Sequence, residues 1–136
     1  MIQFADNPAM HAAVIYIALL ALGLIPLAFR VMGIRRRQRI GIGDGGNRDL
    51  AQAVRVHANY AENAPFGLAL LLALPLAASP AWSVHLVGLC FVISRAAHAF
   101  GLSQTIGSSV GRVAGMVLTF AALITGAIVL LWRAVL

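Results

Sequence analysis

From Ala9 to Phe29 the chain contains no Asp, Glu, Lys or Arg and is dominated by Ala, Leu and Ile. Roughly 20 apolar residues are what an α-helix needs to cross the hydrocarbon core of a bilayer. A bilayer core admits only helices and closed barrels, because every backbone polar group there must find its partner within the protein. The run therefore points to a helical membrane protein. Of the 136 residues 61% are hydrophobic and only 10% charged, well above the apolar share of about 45–50% in soluble domains. No basic segment precedes the run and no suitably placed small-residue site ends it, so it reads as an uncleaved helix over about residues 9–30 after a polar lead, 1–8. Pro26 is expected to kink its last turn.

The net charge of +6 does not indicate nucleic acid, because the basic residues crowd beside apolar spans. Arg30, Arg35, Arg36, Arg37, Arg39 and Arg48 face only Asp44 and Asp49 in the stretch between the first two spans. The positive-inside rule makes 31–48 a cytoplasmic loop in contact with anionic headgroups. Gly41-Ile42-Gly43-Asp44-Gly45-Gly46 fits G-x-G-x-x-G in letters only. That fingerprint needs a preceding strand in a βαβ unit, and here an arginine cluster precedes and a membrane span follows, so it reads as a turn. The single Cys90 allows no internal disulfide and no C-x-x-C motif.

Three further spans follow. Residues 49–78 begin amphipathic and become apolar from Phe66, with Pro65 and Pro75 as sites of bending; Ser79-Pro80 reads as N-cap and first residue of a helix over 80–102; residues 110–133 form the fourth, ending on Trp132 and Arg133. The order places 31–48 and 103–109 in the cytoplasm and both termini opposite. Trp82 suits an interfacial belt and His85 an interfacial position. Gly107, Gly111 and Gly115 form a small-xxx-small ridge that lets another helix approach.

Against this apolar background the polar residues stand out. Arg55, Asn59 and Glu62 lie at i, i+4 and i+7, within about a 60° arc of one helix face, with His57 opposite. An intramembrane charge costs about 2.5–3.5 kcal/mol on insertion scales, so this face looks into protein or water. It forms either an ion pair that fixes packing or a binding site. Arg95 and His98 return to the same depth on the third helix, Arg95 either joining the site or snorkelling to the interface, and Arg112 opens the fourth, where a cation opposes the helix dipole unless an anion is near. No further His, Cys or carboxylate accompanies His98 at i,i+4 spacing, so no metal is expected. Three cations, one anion and two neutral hydrogen-bonding groups complement a small peptide bearing carboxylates and one ammonium. An ionised thiol would fit as well, since a neighbouring arginine favours the thiolate.

Arg55-x-x-x-Asn59-x-x-Glu62-x-x-Pro65, the preceding Gly43-Asp44-Gly45-Gly46 and Arg95-x-x-His98 resemble the MAPEG family, the membrane-associated proteins of eicosanoid and glutathione metabolism, and in particular its small bacterial members. The likeness spans about Val14 to Trp132. It implies an all-α four-helix bundle in a bacterial inner membrane, assembling as a homotrimer, with glutathione as co-substrate between subunits and a lipophilic molecule or lipid as its partner. By position Arg55, Asn59, Glu62 and His98 would hold glutathione, with Arg95 in the same set, Arg30 or Arg39 would reach a carboxylate, and Arg112 would stabilise the thiolate. Leu102, Val113 and Met116 replace hydroxyl-bearing residues of the eicosanoid-forming members, which weakens the case for prostaglandin or leukotriene chemistry. A glutathione transferase or peroxidase, a non-catalytic binder of the same fold and a small transporter using Glu62 are the three resulting functions.

Overall fold

The computed structural model describes residues 6–105 and 107–135; residues 1–5 of the polar lead, Ile106 of the 103–109 connection and Leu136 lie outside the described residues. The described residues form four helices, α1 (Pro8–Gln38), α2 (Arg48–Leu76), α3 (Ala81–Gln104) and α4 (Val110–Val135). Asn7 starts α1 by accepting hydrogen bonds from the Ala9 and Met10 amides, with Pro8 at the first helical position, where its missing N–H costs nothing. The helix carries Pro26 within it.

The basic loop is shorter than its sequence suggests. α1 continues to Gln38, so Arg35, Arg36 and Arg37 form its last turn and only 39–47 connect it to α2. Arginine is a good helix former, and cations at a helix C-terminus complement its dipole, which favours extension through the cluster. Arg39 then breaks the helix in the left-handed conformation, φ 56°. The Arg35 guanidinium ties down the connection, donating to the Gly43 carbonyl at 2.8 Å. Asn47 caps α2 through the Leu50 amide. At the far end, Pro80 rather than Ser79 occupies the N-cap position of α3 and gives no side-chain cap. Its extended ψ of 148° keeps it outside the helix, and the Ser83 hydroxyl donates to its carbonyl instead.

Leu20, Leu71, Leu74, Val84, Val87 and Phe91 form the buried centre of the bundle. The outward faces remain apolar: Leu22, Phe66, Leu89, Phe120 and Ile128 are all exposed, the surface a lipid solvent requires. α1, α3 and α4 are long and apolar enough to cross a membrane, while α2 is diluted by the polar residues in its first half. The chain is an all-α, four-helix membrane bundle.

The most extensive helix contact joins α3 to α4, and it is built on glycines. A methyl group on Gly115 would lie 2.6 Å from the His98 amide nitrogen, and one on Gly101 would collide with the Arg112 backbone. Gly107 precedes α4 and takes no part in the contact, so the ridge reduces to Gly111 and Gly115 with Gly101 as its counterpart on α3. Because backbone, not a flexible side chain, opposes Gly115, Gly115→Ala should destabilise the bundle by about 1–3 kcal/mol, read as a lower thermal midpoint in detergent. An unchanged midpoint would mean the helices are not in this contact.

Candidate functional site

The cationic residues gather at the end of the bundle where α1 leaves the core and α2 begins. On α2 the polar stripe is longer than the motif: Arg48, Gln52, Arg55, Asn59 and Glu62 follow one another at alternating spacings of four and three, one continuous helix face. Arg55 reaches along this face to Glu62, Nη1 to Oε1 3.2 Å, with both side chains more than half exposed. An exposed pair of this kind contributes about 0–1 kcal/mol, so it orients the two groups more than it holds the fold.

Asn59 and Arg95 behave differently. Arg95 is 1% exposed, which overturns snorkelling to the interface. Its Nη1 donates to Asn59 Oδ1 at 2.9 Å and its Nη2 to the Thr119 hydroxyl, joining α2, α3 and α4. Thr119 in turn hydrogen-bonds to the Ser94 hydroxyl and the Gly115 carbonyl. Neutral acceptors therefore provide these contacts to a guanidinium that lipid could not solvate. His98 is also buried, pressed against Gly115.

Two cavities open on this end and share Gln52 as a wall. The smaller, about 260 Å³, is lined by Arg48, Ala51, Gln52, Arg55, Leu102 and Arg112. The larger, about 790 Å³, lies between α1 and α2 and includes Arg30, Arg37, Asn47, Asp49 and Ser103. The larger falls in the size range of small-molecule sites, about 300–1,000 Å³. The Gln52 amide donates to the Leu102 carbonyl and Arg30 to the Ser103 hydroxyl, so both walls are tied to the end of α3. Arg112 also borders a third, largely apolar groove of about 420 Å³ with Ser108, Val113, Met116, Val117 and Phe120. Its guanidinium donates to the Gly107 carbonyl, and its place is set by the Gly101–Gly111 contact one residue earlier.

The structure thus brings Arg55 and Arg112 to one cavity, with Glu62 paired to Arg55, and Arg30 to the adjoining one. Asn59, Arg95 and His98 lie behind this surface, within the bundle. Arg39 is elsewhere, lining a separate cleft with Met32, Arg35, Arg36, Ile40 and Gly41. Arg48 and Gln52 are the residues the motif missed, although extending the four-three spacing backwards from Arg55 reaches both.

A helical membrane protein with a cationic, amide-lined site at one end is the class these features define. The MAPEG family model matches residues 13–132. The inner membrane protein YecN of Escherichia coli (strain K12) is 31% identical over 118 residues, covering 87% of this chain and 88% of that protein, and YecN of Escherichia coli O6:H1 aligns with the same figures. The chain belongs to the MAPEG family.

Proposed function

We propose that the protein is a glutathione-dependent transferase of a bacterial inner membrane, conjugating a thiol to lipophilic electrophiles. The observation that carries the reading is the position of Arg112, which lines both the cavity of Arg48, Gln52 and Arg55 and the apolar groove of Val113, Met116, Val117 and Phe120. A water-soluble thiol held on one side and a membrane-derived electrophile held on the other would meet at this guanidinium.

In this reading the carboxylates of glutathione lie among Arg48, Arg55 and Arg30, and Glu62 takes the ammonium group. Arg112 holds the sulfur as thiolate, the thiol proton passing to water. The thiolate attacks an electrophilic carbon, a carbon–sulfur bond forms, and the displaced electron pair leaves with the departing group or rests on the acceptor until protonated. The site is completed by neighbouring subunits of a trimer, as the family resemblance implies, and the basic end faces the cytoplasm. Leu102 gives the cavity an apolar wall without a hydroxyl, which favours a non-catalytic lipid or glutathione binder as the second reading and leaves thiolate stabilisation to Arg112.

The test is ultraviolet difference absorption of the purified protein in detergent, titrated with glutathione near pH 7. The expected result is a saturable thiolate band, although a free thiol, with a pKa of about 8.5, is mostly protonated there. Saturable binding by calorimetry without that band would favour a non-catalytic glutathione binder, and no binding would sink the transferase and leave a glutathione-independent lipid binder.

A further inference from the structure

We infer that the outer face of the α1 C-terminus is a binding site for the phosphate headgroup of an anionic phospholipid. Two sets of arginines leave this helix in opposite directions. Arg30, Gly33, Ile34 and Arg37 recur at helical spacing and line the inner cavity. Met32, Arg35, Arg36 and Arg39 lie about half a turn away, and with Ile40 and Gly41 they form a separate cleft of about 460 Å³. No carboxylate lines it.

The cleft is built rather than a chance crowding of long side chains. Arg35 Nη1 donates to the Gly43 carbonyl at 2.8 Å and lies 3.5 Å from those of Ile40 and Gly41, which fixes the rim. Ile40 folds back against the small apolar cluster of Ile34, Leu50 and Ala53. Arg36 and Arg39 are exposed beside this rim. Directly below them along the helix, Met32, Ile25 and Val14 are exposed at 52%, 46% and 57% and share the same outward face. A cationic rim at the upper end of a lipid-facing apolar stripe matches an amphiphile with a phosphodiester head and an acyl chain. It matches a free phosphate less well, since the exposed Met32 would then face water. Like-charge crowding of three guanidiniums gives the site its selectivity for net negative charge over a zwitterionic head.

The experiment uses the full chain, purified in detergent and stripped of lipid, with retained lipid counted by native mass spectrometry. Phosphatidylglycerol and phosphatidylcholine of identical acyl chains are offered in competition. The wild type should retain phosphatidylglycerol with a preference of at least about tenfold, and the Arg36→Gln/Arg39→Gln double variant should lose it. Equal retention of the two lipids by the wild type, or an unchanged preference in the double variant, would overturn the proposal. Arg37→Gln, on the inner face, should keep the preference; its loss there would mean that overall charge rather than this cleft selects the lipid. Inorganic phosphate at millimolar concentration should not displace the lipid, and displacement would reassign the cleft to free phosphate. Should the double variant fail to fold by circular dichroism, Arg36→Lys/Arg39→Lys decides instead: keeping both charges, it should retain the preference, and loss of it would count against the cleft.

Discussion

Replacing Arg112 with alanine should remove the thiolate band that glutathione develops on the protein while leaving part of its affinity. A cation beside the sulfur favours the charged form and so lowers the thiol pKa; without it the ionisation should move back up towards the ordinary value of about 8.5, and the band should reappear only at alkaline pH. Turnover with a lipophilic electrophile should fall by about 10²–10³-fold near neutrality, the usual effect of deleting one group that stabilises a reacting anion, and raising the pH should recover much of it. Affinity should survive in part because Arg48, Gln52 and Arg55 line the same cavity. Unchanged turnover in Arg112→Ala would remove this residue from the chemistry and with it the two-sided site.

The second large effect belongs to Arg95. Truncation to alanine leaves Asn59 Oδ1 without its donor, deprives Thr119 of one partner and opens a cavity in a fully packed region, and we expect a loss of about 3–5 kcal/mol of stability. Arg95→Met fills most of that volume and relieves the desolvation of a guanidinium that has only neutral acceptors, a penalty of several kcal/mol. The methionine variant should therefore be clearly more stable than the alanine one, because it leaves the smaller cavity. Thermal unfolding in detergent compares the two. Equal midpoints would show that filled volume matters little at this position.

These residues also mark the limit of what the sequence discloses. The four helices are legible because long, largely apolar stretches have few alternatives, even where α2 is diluted by its polar first half, and Arg55, Asn59 and Glu62 are legible because a regular helix converts spacing into a shared face. The end of α1 is not, since a run of arginines reads as a loop by charge and as a final helical turn by propensity and dipole. Arg95 is left between two readings for a different reason. Snorkelling is the default for an arginine in a span, and the acceptors that let it stay inside, Asn59 and Thr119, are 36 and 24 residues away. Gly101 is hidden in the same way, because a glycine declares itself as a contact only when the opposing backbone is known.

At the other end of the molecule, Arg133 donates to the Ala77 and Ala78 carbonyls, 56 and 55 residues earlier. Those carbonyls close α2, and the hydrogen bonds they receive come from the helix that crosses last. The connection that follows α2 is therefore tied to the end of α4 across the bundle. This latch resists sliding of α4 against α2. α4 is thus pinned at both ends, by this latch at one and by the Gly101–Gly111 contact beside Arg112 at the other.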